Sequence, residues 1–468
     1  MPELRHKQRA AINWATVLIM VGVLIRLGLW LRVSQSPPLL LQGDGRGYEQ
    51  LARNVIEGHG FSLDSAPPYT PDMTRTPVYP LFITGIYLAV GYRPEIVALI
   101  QNIFSLMTVY ITYRLAVRLF GSQAAWIASV LMVLDFGTII LADVTLTESL
   151  FLFLLVSACY CLFVGLNSPR GMGWMAGAGA LFGLATLTRP AGLYLIVLLL
   201  PFVWWAMRRP WRERARRAVV MLIAFLLVLA PWSYRNLQTF GSPNIALTQS
   251  ITLTYHAKYL RAALYHTTLA EQESYFDNQV LRELEGRTVS RVEMDKLVQA
   301  KAQAEIMQHP VEYVALYTKS VALMLALPNT NFLANILGIL DRPTGIIADM
   351  RTRSLTENAQ ALADFSVRFL AGSPDQALFF AALLSEMAIM FLTYALAIAG
   401  TIAGWRSGHR TTVALLLVII VYFLAVAGPV GTGRYRLPAM PYLMILAGLG
   451  FIQIQAWRQA HHDRIALP

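Results

Sequence analysis

The sequence predicts an all-helical protein that crosses a membrane many times. Of its 468 residues, 56% are hydrophobic and only 14% are charged, whereas soluble domains carry about 25% charged residues. Long apolar runs alternate with short polar breaks, and a helix needs about 20 apolar residues to cross the hydrocarbon. The alternating pattern of a membrane β-barrel is not seen in the sequence. An integral membrane protein is therefore the class that composition predicts.

Ten segments of the chain are candidate membrane spans by length and apolarity. They cover approximately residues 11–33, 95–118, 122–141, 145–166, 172–188, 190–207, 217–235, 377–404, 411–430 and 438–457. These spans divide the chain into an N-terminal membrane module (1–240) with a first outer loop (34–94), an outer helical region (241–376) and C-terminal membrane helices (377–468).

Arginine-rich loops orient these spans. The loop Arg208–Arg217 contains six arginines, and loops rich in Lys and Arg tend to stay in the cytoplasm. With both termini cytoplasmic, this loop is inside and the two long segments lie outside. The run Val311–Pro328 would invert the later spans if it crossed the membrane, so we interpret it as an interfacial helix. The net charge of +11 then reflects topology, and no nucleic-acid partner is predicted.

The first outer loop contains the stretch GDGRGYEQLARN, residues 43–54. From Tyr48 onward the apolar residues recur at helical spacing, which predicts a short helix on the membrane surface. Asp44 precedes this helix, either as an N-cap carboxylate or as a catalytic acid or base. The glycines do not fit the G-x-G-x-x-G pattern and follow no predicted strand, so a dinucleotide site is excluded.

Two more acids lie near the start of the fourth predicted span, in LADVTLTESLFLF. Glu148 lies about one and a half turns inside that span, and Asp143 precedes it. A carboxylate at membrane depth is costly unless it faces a polar cavity, so function is the default hypothesis. A helix-start carboxylate favoured by the dipole is the structural alternative.

Arginines also lie at the predicted outer ends of spans, against the positive-inside trend. Snorkelling to the interface explains one such residue better than it explains several. Guanidinium groups that converge at one place make a phosphate or pyrophosphate site. Outside the cell no ATP supplies that phosphate, so a lipid-linked phosphate is the natural candidate. The residues concerned are Arg75, Arg189, Arg235, Arg434 and Arg436.

Six stretches together resemble the protein O-mannosyltransferase/ArnT-like glycosyltransferases, which have the GT-C fold and are often placed in glycosyltransferase family 39. They are GDGRGYEQLARNVIEGHGFS, RTPVYPLFITGIYLAVG, TLTESLFLF, LTRPAGLYL, APWSYRN and GRYRLPAMPYL. The resemblance covers about residues 11–240 and 377–457. It implies a sugar donor on a polyprenyl phosphate, undecaprenyl phosphate in bacteria, and transfer with inversion to an envelope acceptor. Lipid A, another glycolipid, a polysaccharide and a protein all remain open as acceptors.

The resemblance also implies roles for single residues. Asp44 takes the place of the family's aspartate in the first outer loop and acts as general base on the acceptor hydroxyl. Glu148 is the second acid, with Asp143 as the alternative. The five arginines stabilise the leaving phosphate. Family members differ in their use of a divalent cation, which stays open here, and no His/Cys cluster requires a metal. Four further residues are expected near the sugar or the acceptor: Tyr48, Arg53, Tyr79 and Tyr435.

Two other functions remain open from the sequence. An O-antigen polymerase or ligase would also use outer arginines, for a polyprenyl pyrophosphate, but would not need the acid of the first outer loop. A lipid-linked sugar transporter or flippase predicts polar residues near the middle of spans, where these runs are mostly apolar. For the glycosyltransferase we expect a bacterial inner membrane location with the site facing the periplasm.

Overall fold

A computed structural model describes residues 2–284, 287, 289, 291–329, 331–337, 356–357, 360 and 374–465. Within these residues the chain is almost entirely helical, and the only β-pairing is an isolated bridge between Ser62 and Pro71. The helices are α1 (Pro2–Ser34), α2 (Gly45–Ile56), α3 (Val78–Val90), α4 (Pro94–Phe120), α5 (Ser122–Val133), α6 (Phe136–Ala142), α7 (Glu148–Gly165), α8 (Gly171–Thr188), α9 (Leu195–Ala206), α10 (Trp211–Phe240), α11 (Thr248–Tyr265), α12 (Leu269–Leu284), α13 (Arg291–Gln308), α14 (Pro310–Ala326), α15 (Asn331–Leu337), α16 (Pro374–Arg406), α17 (Arg410–Ala427) and α18 (Met440–Ile465).

Seven helical segments of the described chain are long and apolar enough to cross a membrane, so the multi-pass architecture is confirmed. They are Thr16–Ser34, Pro94–Phe120, Glu148–Gly165, Trp211–Phe240, Phe379–Arg406, Arg410–Val430 and Gly433–Asp463. An eighth candidate is the pair α5 and α6, which meet at an angle of 51°. This pair occupies the predicted span 122–141.

Two of the ten predicted spans do not reach this standard. The span 190–207 corresponds to the shorter apolar segment Pro190–Ala206. The span 172–188 corresponds to α8, which is rich in glycine. A Cβ on Gly179 would lie 2.0 Å from the Met221 carbonyl oxygen of α10. Small residues of this kind allow two membrane helices to approach closely, so α8 is specified by packing more than by apolarity.

Burial separates central from peripheral helices. In α7, 83% of the apolar window is buried inside the protein, against 17% in the α1 window. Helix α18 is also central, and it contacts α16 through two glycines: a Cβ on Gly400 would lie 1.9 Å from the Leu446 oxygen, and one on Gly450 would lie 2.0 Å from the Leu396 oxygen. Both central helices begin next to predicted site residues, since α7 starts at Glu148 and α18 follows the 3₁₀ segment Gly433–Ala439, which carries Arg434.

The two segments predicted to lie outside, 34–94 and 241–376, both contain helices that pack onto candidate membrane helices. Helix α2 forms where the apolar spacing predicted a helix, and α3 is a short apolar helix of 13 residues. In the outer region, α11, α12 and α13 form an apolar cluster of their own with α14, which also contacts Val430. The run 311–328 lies mainly in α14, which is not among the candidate spans. The predicted outer region also includes 338–373, which is mostly outside the described residues.

Candidate active site

The two glycines next to Asp44 are required for different reasons, Gly43 by its backbone conformation and Gly45 by close packing. Gly43 has a φ of +54°, a conformation that glycine adopts without strain. A Cβ on Gly45 would lie 2.8 Å from the Thr145 carbonyl oxygen, and the Thr145 amide donates a hydrogen bond of 2.8 Å to the Leu40 oxygen. These contacts press the start of α2 against the segment that leads to Glu148.

Asp44 is placed at the N-cap position of α2, but its side chain makes no capping hydrogen bond. Its carboxylate is bound by two arginines instead. Nη2 of Arg75 donates to Oδ1 at 2.8 Å, and Nη2 of Arg434 donates to Oδ2 at 3.1 Å. Of the two sequence hypotheses for Asp44, the capping role is therefore not the one that its side chain performs.

Glu148 is the first residue of α7, so it lies at the helix start rather than one and a half turns inside it. The span begins later than predicted because residues 143–147 do not continue as helix. Oε1 of Glu148 accepts from Nη1 of Arg189 at 2.5 Å and lies 2.9 Å from Nε of Arg434. The second contact is an ion pair rather than a hydrogen bond, because Nε has no hydrogen-bond acceptor among the described residues. Arg434 thus joins the two predicted acids.

The charges of the arginines dominate the protonation of Asp44. Burial by itself would raise the pKa of the Asp44 carboxyl, but the Arg434 and Arg75 guanidiniums outweigh it and hold the pKa below its usual value of 3.8. The carboxylate is therefore ionised at neutral pH. Burial raises the pKa of the nearby Tyr48 hydroxyl to about 12, so Tyr48 is neutral and able to donate a hydrogen bond.

The loop that carries Arg75 is held by Asp72. The Asp72 carboxylate accepts hydrogen bonds from the backbone amides of Thr74 at 3.1 Å and of Arg75 at 2.9 Å. Its carbonyl oxygen accepts from Nη1 of Arg235 at 2.9 Å. Thr76 then donates to the Thr188 oxygen at 3.1 Å, which ties this loop to the segment that carries Arg189.

The segment that carries Arg434 is fixed to the end of α14 and to α16 by Arg436, and we call these contacts the clasp. Arg436 donates to the carbonyl oxygens of Met324, at 2.9 Å, and Leu327, and it pairs with Glu386 at 3.1 Å. A Cβ on Gly433 would lie 2.8 Å from that Leu327 oxygen. Arg434 therefore extends from a segment whose backbone has little freedom to move.

A cavity of about 610 Å³ lies beside this charge cluster, within the size range of ligand sites. Six predicted residues line it. Among them, Tyr435 contacts both Arg189 and Arg434, with each guanidinium 5.4 Å from its ring centre. The rest of the wall is mostly apolar or aromatic, with residues such as Phe151, Leu193 and Phe423. The predicted residues at the cavity are Asp44, Tyr48, Arg75, Arg189, Arg434 and Tyr435. Glu148 does not line the cavity itself but forms ion pairs with Arg189 and Arg434, which do.

Five other predicted residues do not line this cavity. Arg235 stacks on Trp232 at 4.6 Å and braces the Arg75 loop, and Arg436 is buried in the clasp. The three others have partners elsewhere: Arg53 pairs with Glu49 at 2.9 Å, the Tyr79 hydroxyl donates to Gln101 at 2.5 Å, and Asp143 accepts from Asn102 at 2.7 Å.

Asp143 differs from Glu148 in its surroundings. It is fully buried without an ion-pair partner among the described residues, and burial raises the pKa of its carboxyl to about 7. These two acids lie five residues apart but differ in their partners, because the arginines of the cluster pair only with Glu148.

Several cavity residues carry no recognisable signal in the sequence. His256, Gln299 and Tyr313 come from three helices of the outer region, and Tyr422 comes from α17, where its hydroxyl donates to the Ala191 oxygen at 2.6 Å. Single polar residues at helical spacing look like surface or packing residues in a sequence. No group of three or more His, Cys, Asp or Glu residues that could hold a metal occurs in the described part of the chain.

The described helices and the charged cavity are those of a polytopic membrane protein. A family model described as dolichyl-phosphate-mannose-protein mannosyltransferase matches residues 74–234, and the resemblance seen in the sequence motifs is thereby confirmed. A search of curated proteins gives no match.

The likeness to one solved structure supports the fold, and a second is similar to a lesser degree. The archaeal oligosaccharyltransferase AglB from Archaeoglobus fulgidus, in complex with an inhibitory peptide and a dolichol-phosphate, is 15% identical with a TM-score of 0.52, over 96% of this chain and 52% of that one. The chain thus spans about half the length of AglB, and the likeness shows the fold. ArnT from Cupriavidus metallidurans in the apo state is 14% identical with a TM-score of 0.41, over 94% of this chain and 77% of that one.

Proposed function

We propose that the protein is an inverting glycosyltransferase that moves a sugar from a polyprenyl phosphate, such as undecaprenyl phosphate, to an envelope acceptor at the outer face of the membrane. One observation carries this proposal: Arg434 joins Asp44 and Glu148, and Arg75 and Arg189 complete the cluster in the lining of a largely apolar cavity. The family match over residues 74–234 supports it.

The charge of the cluster suits a phosphodiester. Three guanidiniums face two carboxylates, which leaves one net positive charge, and a sugar phosphodiester carries one negative charge. Nε of Arg75 is a buried donor without a hydrogen-bond acceptor among the described residues. A buried donor in this condition is costly, and a phosphate oxygen is a suitable partner for a guanidinium. We assign the donor phosphate to Arg75, Arg189 and Arg434.

The apolar walls suit the lipid that bears this phosphate. Leu193, Tyr194 and Phe423 line the cavity, and Tyr194 is half exposed beside the exposed Val197 of α9. Each Å² of apolar surface that an isoprenoid chain buries against such walls contributes about 25 cal/mol of favourable free energy. The cavity therefore combines an anion site and an apolar site, as an amphiphilic donor requires.

The chemistry is a single displacement. The acceptor hydroxyl attacks the anomeric carbon while Asp44 removes its proton. The bond between the anomeric carbon and the phosphate oxygen breaks, and its electron pair stays on the phosphate, which becomes a monoester. The added negative charge is stabilised by the three arginines, whose positions are fixed before the reaction. One displacement inverts the anomeric centre.

The donor phosphate has a second effect on Asp44. In the described arrangement both Asp44 oxygens accept from arginines, which lowers their basicity. Phosphate oxygens that compete for Arg75 and Arg434 weaken these pairs and raise the pKa of Asp44 from its depressed value. The base thus gains basicity when the donor is bound.

The test is transfer by the purified full chain in proteoliposomes. A polyprenyl phosphate with a radiolabelled sugar is supplied with envelope extract from cells that lack the protein. The proposal expects label to move from the lipid to an extract component, and mass spectrometry of envelopes with and without the protein identifies that component. Transport of intact labelled lipid across the bilayer without transfer would contradict the proposal.

A further inference from the structure

The cavity lining has a second set of polar residues that the proposed chemistry does not use, which we call the neutral wall. It consists of His256 on α11, Gln299 on α13 and Tyr313 on α14, and unlike the arginine cluster it contains no permanently charged group. All three belong to the outer region. Each is a neutral hydrogen-bonding group when His256 is unprotonated.

His256 is held neutral and oriented by its surroundings. It is 8% exposed, and burial lowers the pKa of its imidazole to about 4. Nδ1 lies 3.0 Å from the Tyr313 hydroxyl, while Nε2 is buried without a partner among the described residues. The ring packs against Gly428, where a Cβ would lie 2.8 Å from Cε1. Only glycine therefore leaves room for the imidazole.

These partners assign the tautomer. If Nδ1 accepted from Tyr313, the proton would sit on Nε2 as a buried N–H without an acceptor. Buried N–H groups without a partner are rarer than unpaired acceptors. We therefore place the proton on Nδ1, as an assignment from the hydrogen-bond network. Nδ1–H then donates to the Tyr313 oxygen, and the Tyr313 O–H is left to donate to a group in the cavity.

The phenol remains a donor at neutral pH, since burial raises the pKa of Tyr313 above its ordinary value. The Gln299 amide adds two donors and an acceptor. Neutral donors and acceptors recognise hydroxyl groups, which both donate and accept. An ammonium or carboxylate would instead need a charged partner when removed from water.

The charged residues of the cavity also favour an uncharged sugar over a charged one. Among the described residues that line it, Asp44 is the single carboxylate, and both of its oxygens already accept from arginines. A cationic amino sugar would compete with these two guanidiniums. An uncharged sugar needs no such exchange.

We propose that His256, Gln299 and Tyr313 form a specificity subsite that binds the hydroxyl groups of an uncharged sugar on the donor lipid. The proposal rests on the proposed function and adds a sugar class to it. Tyr313 and Gln299 contact the sugar. His256 is a positioning residue that fixes the direction of the Tyr313 hydroxyl.

The test measures binding of three short-chain lipids to the purified full chain in nanodiscs: polyprenyl phosphate, the same lipid with a neutral hexose, and the same lipid with an amino sugar. Tyr313→Phe is expected to weaken binding of the hexose lipid about five- to tenfold, as loss of one buried hydrogen bond does, and to leave polyprenyl phosphate unchanged. Wild-type protein is expected to bind the hexose lipid more tightly than the amino-sugar lipid.

Tyr255→Phe is the matched control, because Tyr255 is on α11 and does not line the cavity. His256→Asn is expected to reproduce the selective loss in smaller measure, whereas a merely structural role would weaken all three lipids equally. Equal losses for all lipids, no loss for any, or tighter binding of the amino-sugar lipid would overturn the subsite. Failure of the wild type to bind polyprenyl phosphate at all would instead overturn the proposed function.

Discussion

The two walls of the cavity are built in different ways. The charged wall, Asp44 with its neighbouring arginines, comes from short segments next to helix ends. Asp44, Arg75 and Arg189 lie outside α-helices, and Arg434 lies in the 3₁₀ segment Gly433–Ala439 before α18. The neutral wall comes from side chains on the outer helices α11, α13 and α14. In this account, reaction chemistry depends on the rigid membrane part, and choice of substrate depends on the outer part.

The largest effect is expected from Asp44→Asn, since the amide cannot accept the acceptor's proton. Transfer should fall roughly 100- to 10,000-fold, the usual contribution of general base catalysis, while polyprenyl phosphate binding persists. Initial rates of labelled-sugar transfer measure this.

The control is Glu57→Gln, which removes an exposed carboxylate just after α2 that contacts His59 and Tyr92. It should leave the rate within twofold of wild type. Full activity of Asp44→Asn at normal expression would remove Asp44 from the mechanism and return the O-antigen ligase class to consideration.

The next largest effect is expected from Arg434→Gln. It removes the cation that joins Asp44 and Glu148 and leaves a buried carboxylate undercompensated, a change that typically costs ~3 kcal/mol or more. Both donor binding and thermal stability should fall. Arg434→Lys keeps one charge but cannot reach both acids in a fork, so it should restore stability more than transfer. Equal activity of the Lys variant and wild type would contradict the bridging role.

A smaller effect is expected from Gly433→Ala, which tests the clasp. The added Cβ would meet the Leu327 oxygen at 2.8 Å and the Asn329 side chain at 3.0 Å, so the segment must shift and move Arg434 with it. We expect about a tenfold loss in kcat/KM, since small misplacements of catalytic groups are costly. Gly28→Ala is the control, because nothing lies within 4 Å of its Cβ position. Unchanged kcat/KM in a folded Gly433→Ala protein would count against the clasp.

The smallest effect is a change in pH dependence. Arg75 helps to hold the pKa of Asp44 below 3.8, so Arg75→Gln should raise that pKa. Activity requires the ionised base and is lost as pH falls through its pKa. The acid limb of kcat/KM, which reports the free enzyme, should therefore move to higher pH in Arg75→Gln. Arg53→Gln should leave the limb in place, and an unshifted limb in Arg75→Gln would show that Asp44 is not the titrating base.

The charged wall was more accessible to sequence reasoning than the neutral one. Asp44 and Glu148 are polar residues next to apolar runs, where their cost draws attention. Arg434 and Arg436 look alike in the sequence, yet only Arg434 lines the cavity. They lie two residues apart in the 3₁₀ segment Gly433–Ala439, where such residues point in different directions. That difference needs the backbone to be known.

The fold was likewise predictable from the sequence where apolarity indicates it, and less so where tertiary packing decides. Long apolar runs identify spans directly, whereas α8 depends on glycines that pack against α10. Likewise His256 and Tyr313 lie 57 residues apart, and nothing in their local sequence indicates that they meet. Contacts made only through tertiary packing leave no periodic pattern to read.

A binding titration of polyprenyl phosphate, without sugar, against wild type, Arg189→Gln and Arg53→Gln tests the phosphate site directly. Arg189 pairs with Glu148 at the cavity, whereas Arg53 pairs with Glu49 away from it. We expect Arg189→Gln to weaken binding at least about tenfold, as loss of a charge-assisted contact does, and Arg53→Gln to change it less than about twofold. Equal affinity of all three proteins would contradict the assignment of the phosphate to this cluster.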